Sequence, residues 1–125
     1  MRDRLFIAAY DSQAKLFKTL NHPARLAILD VLREGEHCVC HMEAALGYRQ
    51  AYISQHLMVL RDAGLVRDRR DGWNIYYRVT KPEVFAVIDA AQNINGAQKA
   101  HKPHADRLDH CPCPHCSLQA EPVAC

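Results

Sequence analysis

The sequence predicts a mainly α fold that carries a two-stranded β-hairpin wing, the arrangement of a winged helix-turn-helix. Three observations lead there. Apolar residues recur at helical spacing from the N-terminal segment to Ile94. The stretch YRQAYISQHLMVLRDAGLV, from Tyr48 to Val66, reads as a helix entered from a short glycine turn. Beyond it Asp71-Gly72 separates two runs, LVRDRR and WNIYYRVT, and an Asp-Gly pair supplies the positive backbone dihedrals of a two-residue hairpin turn.

From Arg4 to Leu20, the positions of Leu5, Ala8, Ala9, Leu16, Phe17 and Leu20 are spaced for a first helix. Asn21 or His22 caps a second helix, with Pro23 at the first helical position, where its fixed φ fits and its missing N–H leaves nothing unsatisfied. Leu26, Ile28, Leu29 and Leu32 line that helix, and Arg33-Glu34-Gly35 ends it. After Cys38-Val39-Cys40 a short third helix runs to about Leu46 and stops at Gly47. The turn Gly47 to Arg49 opens a fourth helix at about Gln50, which ends at Gly64 and buries Ile53, Leu57 and Leu60. In two helices joined this way, the second normally enters the DNA major groove. The hairpin follows as a wing. Thr80, Pro82 and Glu83 spell a capping box for a fifth helix with apolar positions Val84, Phe85, Ile88, Ala91 and Ile94.

A chain of 125 residues supports one small core, so one domain is expected over residues 1–96. Over residues 97–125 hydrophobicity collapses into His, Lys, Pro, Asp and Cys, a tail that cannot build a core. No run of eighteen apolar residues occurs, and the start, MRDRLFIAAYDSQ, has only Leu5 to Ala9 as an apolar stretch. Both facts argue against a transmembrane helix and a secretory signal, and the expected location is the cytoplasm. In that reducing compartment, six cysteines in clusters bind metal or do redox chemistry more often than they staple a fold. An enzyme is not expected, because no cysteine has the strand-turn-helix context, base and oxyanion donors of a nucleophile.

The net charge of +2 says little until it is located. Between Ala45 and Lys81 stand seven cations (Arg49, Arg61, Arg67, Arg69, Arg70, Arg78, Lys81) against three anions (Asp62, Asp68, Asp71). Positive charge is therefore concentrated on the helix-turn-helix and wing, as phosphate binding requires.

The order helix, helix, helix, recognition helix, wing, helix, together with LNHPARLAILDVL, CVC, ISQHLMVLRDAGLV and DGWNIYYRV, resembles the ArsR/SmtB family of metal- and metalloid-responsive bacterial repressors. The resemblance spans about Ser12 to Ala91. It implies a homodimer, joined through the first and fifth helices, that binds double-stranded operator DNA without inducer and releases it when an ion binds. A dimer sets two recognition helices about one DNA turn apart, so the operator is expected to be pseudo-palindromic.

Position selects the DNA-reading residues. The N-terminal half of the fourth helix offers Gln50, Ala51, Tyr52, Ser54, Gln55 and His56. Gln pairs bidentately with adenine, Ser bonds to base or phosphate, and Ala meets a thymine methyl group. For His56 the plainer alternative is a packed histidine beside Leu57. Arg49, Arg67, Arg69 and Arg70 read as phosphate or minor-groove contacts that position the domain without specifying sequence.

Cys38 and Cys40, flanked by His37 and His41, are the expected sensor. Residues i and i+2 of a helix point about 200° apart, so both sulfurs can grip one ion only if this segment is extended or its first turn opens. Ion capture would then distort the start of the third helix and disturb the helix-turn-helix. The resemblance agrees, since the family's arsenite and cadmium sensors carry a CVC here. Arsenite takes three sulfurs and cadmium or lead three or four, while zinc also accepts His37 or His41. Where relatives with a compact arsenite site carry a third cysteine, this sequence has Glu43. The missing sulfur is therefore expected from Cys111, Cys113, Cys116 or Cys125, in either subunit. The family's other ion site, across the fifth helices, is not expected: Asp89 is present, but Ala91 replaces a histidine, and His101 and His104 have the wrong spacing. Ligand softness narrows the inducer to arsenite, antimonite, cadmium, lead, mercury or zinc, with arsenite and cadmium ahead. The alternative is a thiol redox or persulfide-sensing repressor of the same fold, with Cys38 or Cys40 bridged to a tail cysteine.

Overall fold

The computed structural model describes residues 2–96, with side chains from residue 7 onward. Cys111, Cys113, Cys116 and Cys125, expected to complete the sensor, lie outside the described residues. The elements run α1 (Arg2–Leu20), α2 (Pro23–Val31), a single 3-10 turn (Leu32–Glu34), β1 (His37–Cys38), α3 (Val39–Leu46), α4 (Gln50–Asp62), β2 (Val66–Asp71), β3 (Asn74–Val79) and α5 (Glu83–Ile94).

The core is where α2, α3 and α4 meet. Ile28, Leu29, Met42, Ala45, Ile53, Leu57 and Leu60 are fully buried there. The spacing of Ile53, Leu57 and Leu60 places all three on one face of α4, as expected from the 3.6-residue period. Each such side chain contributes about 1.5–3 kcal/mol by leaving water, which fixes the recognition helix against its scaffold. Among the described side chains of α1, Leu16 and Leu20 join this core, and from α5 Val84 and Ile88 do so, with Phe85 half-buried beside them. Ile7, Tyr10 and Phe17 of α1 and Ile94 of α5 stay exposed, Phe17 at 58% and Ile94 at 84%.

The helix ends follow local chemistry. His22 caps α2, its Nδ1 accepting the Ala24 N–H at 3.1 Å, and Pro23 occupies the first helical position. Gly47 ends α3 in the left-handed region at φ 75°, its N–H donating to the Glu43 carbonyl, and so forms the turn of the helix-turn-helix. Only glycine adopts that φ without cost, so Gly47→Ala is expected to lower stability by about 1–2 kcal/mol, read as a lower urea midpoint at unchanged slope.

Two expectations are corrected and one is extended. The two-stranded wing is present as β2 and β3, and β1 adds a third antiparallel strand in the order β1-β3-β2, because His37 and Cys38 pair with Tyr77 and Tyr76. The turn of the wing is Gly72-Trp73 rather than Asp71-Gly72. Asp71 pairs with Asn74 and belongs to the strand, while Gly72, at φ 61°, takes the positive dihedral. Thr80 forms no capping box: its hydroxyl donates to the Gly64 carbonyl at 2.8 Å, and the α5 cap, Pro82, makes no side-chain hydrogen bond. The Thr80 backbone N–H also donates to Leu65, so this residue ties the base of the wing to the end of α4 instead of opening α5.

Candidate nucleic-acid interface and thiol segment

The first two turns of α4 present Gln50, Ala51, Tyr52 and Gln55 to solvent, with Ser54 half-buried. Its cap, Arg49, is extended and makes no side-chain cap hydrogen bond. The positive end of the helix dipole therefore faces outward beside the Arg49 side chain, a favourable setting for a phosphate. His56 departs from the expected reading surface. It is 7% exposed, because it follows Ile53 by three residues and shares the buried stripe. Its Nδ1 accepts from Arg25 Nε at 3.2 Å, and its ring lies 4.2 Å from that of His22 and edge-on to Tyr52 at 4.6 Å. Burial, followed by His22 and Arg25, holds its pKa below the ordinary histidine value. His56 is a packed, neutral histidine that supports the helix from behind.

The wing arginines separate into two groups. Arg67 and Arg70 are exposed and, with Arg49, take part in no ion pair among the described residues. Arg69 is exposed too, but its guanidinium is engaged by neighbouring side chains. Its guanidinium grips the Glu36 carboxylate through Nε, 3.2 Å from each oxygen, and through Nη2 at 2.5 Å, and lies 5.1 Å over the Tyr76 ring. The Glu36 hydrogen bonds raise its already high pKa. Arg69 is therefore a brace between the wing and the segment that precedes Cys38, and less available to DNA than Arg67 and Arg70. Arg78, which the sequence reading counted only in the charge balance, and Trp73 join the exposed residues of the wing. Arg78 is exposed directly across the ladder from Arg67 and adds to the same positive face. Trp73 stands at the wing tip, 99% exposed.

The thiol segment spans the junction of β1 with α3. Cys38 is extended, at φ −83° and ψ 168°, and serves as the N-cap of α3, its Sγ accepting the His41 N–H at 3.4 Å. It is 2% exposed and packs with Tyr76 in a small cluster to which Cys40 and Ala44 belong. Cys40 lies in the first turn of α3, half-buried. The His37 and His41 rings stack at 3.8 Å. Four soft or borderline donors thus fall within five residues, at the junction of β1 with α3. Among the described residues no group of three His, Cys, Asp or Glu side chains converges as a metal site. The pair alone supplies two sulfurs, and a thiophilic ion needs a further donor and some opening of the α3 cap. On α5, the Asp89 carboxylate is taken by Arg33 in a two-point contact at 2.8 and 3.0 Å, and Ala91 offers no ligand.

The elements that build this interface are also the ones that match known proteins. The family model described as bacterial regulatory protein, arsR family, aligns with residues 22–68, from the α2 cap into the wing. The biofilm growth-associated repressor of Xylella fastidiosa is 41% identical over 86 residues, 69% of this chain and 75% of that protein. The arsenical resistance operon repressor of Escherichia coli is 45% identical over 82 residues, 62% of this chain and 69% of the repressor. Among solved structures, the homodimeric winged helix-turn-helix DNA-binding domain Mb0332 from Mycobacterium bovis superposes with a TM-score of 0.64 at 31% identity, covering 78% of this chain and 95% of that domain. Among the described residues no helix is long and apolar enough to cross a membrane. With the same fold, and with such identity over most of a repressor's length, the chain belongs to the arsR family of bacterial regulatory proteins.

Proposed function

We propose that this protein is a homodimeric transcriptional repressor that holds double-stranded operator DNA and releases it when a thiophilic ion, foremost arsenite or cadmium and then lead, engages Cys38 and Cys40. The observation that carries this reading is the double role of Cys38, which caps α3 with its sulfur and pairs its backbone with Tyr76 in the wing strand β3. Drawing that sulfur toward an ion shared with Cys40 takes the cap from His41 and loosens the β1–β3 ladder. The first disturbance reaches the helix-turn-helix through α3, and the second reaches the wing. Tail cysteines Cys111, Cys113 and Cys116 supply the further sulfur, from either subunit.

The dimer follows from the apolar side chains that the monomer leaves in water. Ile7, Tyr10 and Phe17 on α1 and Ile94 on α5 are exposed apolar side chains that a second copy would cover. Dimerisation through these helices pairs two copies of α4, so a pseudo-palindromic operator is expected. Gln50, Ala51, Tyr52, Ser54 and Gln55 then face base edges, and Arg49, Arg67, Arg70 and Arg78 face phosphates.

The test is a titration of the operator-bound full chain with arsenite, antimonite, cadmium, lead, mercury and zinc, read by release of labelled duplex. Release at low concentration by arsenite or cadmium supports the assignment. A complex that survives the whole panel removes it.

A further inference from the structure

Arg25 joins three helices. From α2 its Nη1 donates to the Thr19 carbonyl, 3.1 Å away in the last turn of α1, and its Nε donates to Nδ1 of His56 on α4. The carbonyl end of α1 carries partial negative charge, which favours a guanidinium there. Among the described residues no carboxylate forms an ion pair with Arg25. The groups facing the His56 ring are Arg25 from α2, His22 from the α2 cap and Tyr52 from the preceding turn of α4. Tyr52 in turn packs against Tyr48 at 5.1 Å and reaches the exposed face beside Ala51 and Gln55.

Resting on the DNA-binding reading above, we infer that Arg25 is a positioning residue for operator recognition: through neutral His56 it locks the recognition helix to α1 and α2, and protonation of His56 opens the lock. The argument is one of donors and acceptors. Arg25 is always charged and has only donors, so His56 Nδ1 must keep its lone pair and the ring proton must sit on Nε2. A second proton on Nδ1 sets two donors and two positive charges against each other, with His22 adjacent. Among the described residues the groups that contact the ring, Arg25, His22 and Tyr52, include no carboxylate to compensate, so the ring must move, and Tyr52 and the reading face of α4 move with it. Burial and the two basic neighbours keep the ring neutral under ordinary conditions. Because the folded pKa is depressed, the lock is intact above the ordinary histidine value of about 6.5 and is lost as pH falls through the lower folded value.

The sign makes this testable. An added positive charge on a DNA-binding surface, with no positioning role, tightens binding to phosphate as pH falls. The lock predicts that sequence-specific binding weakens instead. A duplex is enriched from a random-sequence pool by the full chain at about pH 8, and its affinity is followed to about pH 5.5, across the histidine range. Arg25→Met, which keeps an unbranched apolar stem and loses every donor, is expected to bind about tenfold more weakly at the upper pH, at unchanged dimer mass and helical content. His56→Asn places an amide oxygen near the position of Nδ1 and cannot titrate. It is expected to bind as the wild type does at the upper pH and to lose the acid-induced weakening, which a merely structural role for His56 would not produce. Superimposable pH profiles for wild type and His56→Asn, or wild-type binding that tightens steadily with acid, overturn the inference while leaving DNA binding in place. Failure to enrich any duplex overturns the DNA-binding reading and this inference with it.

Discussion

A protein carrying both Cys38→Ser and Cys40→Ser is expected to hold its operator as the wild type does, while arsenite or cadmium no longer releases it. Serine is chosen because it separates the cap that the structure contains from the sensing role proposed above. In the α3 cap the Cys38 sulfur accepts the His41 N–H, and a serine oxygen fills that role at least as well. The sensing role needs a soft thiolate, which serine cannot supply. In the wild type, a coupling of about 1–3 kcal/mol between ion and DNA sites corresponds to release by roughly 5- to 150-fold in affinity. The double variant is expected to show none of it, in an anisotropy titration with and without ion. Normal release by the double variant would remove Cys38 and Cys40 from the sensor. Intact mass after oxidant and after ion separates the redox alternative, in which a bridge to a tail cysteine lowers the mass by two hydrogens, from ion capture.

The second large effect is on salt dependence. Replacing Arg49, Arg67 and Arg70 with glutamine removes three cations from each protomer, six from the dimer. At about 0.9 per phosphate contact, the slope of log affinity against log salt is expected to become shallower by about five, with binding at low salt weakened by orders of magnitude. Preference among operator sequences is expected to persist in whatever binding remains, since phosphate contacts carry no base information. Gln55→Ala should behave in the opposite way, with a near-normal slope and about 1–3 kcal/mol less discrimination at one base pair. A slope unchanged by the three substitutions would place the phosphate contacts elsewhere on the molecule. Arg69 is left out of the set because Glu36 and Tyr76 already hold it. Arg69→Gln is expected to act by loosening the wing from the thiol segment.

Much of this was legible in the sequence, and for a common reason. A helix announces itself through spacing, so the buried stripe of Ile53, Leu57 and Leu60 on α4 could be read directly. Caps and stops are also local: His22 with Pro23, and Gly47, lie within a few residues of the groups they satisfy. The i, i+2 spacing said only that two sulfurs could share an ion if this segment left the helix or its first turn opened; Cys38 is extended, and Cys40 stays in the first turn of α3.

What the tertiary structure decided depends on residues brought together across long stretches of chain. Whether Thr80 caps α5 or ties down α4 turned on the nearness of the Gly64 carbonyl, sixteen residues back. His56 reads as a polar residue on a DNA-facing helix until α2 brings Arg25 to its Nδ1 across 31 positions. Arg69 counts as one more wing cation until Glu36 arrives from 33 positions away. Likewise β1 is too short to announce itself and exists because β3 offers it an edge. Helical periodicity and the caps whose partners lie within a few residues, such as His22 and Gly47, are short-range and were set by the sequence alone. Which polar groups satisfy one another, and hence which cations and imidazoles remain for a ligand, is a long-range competition that only the assembled fold resolves.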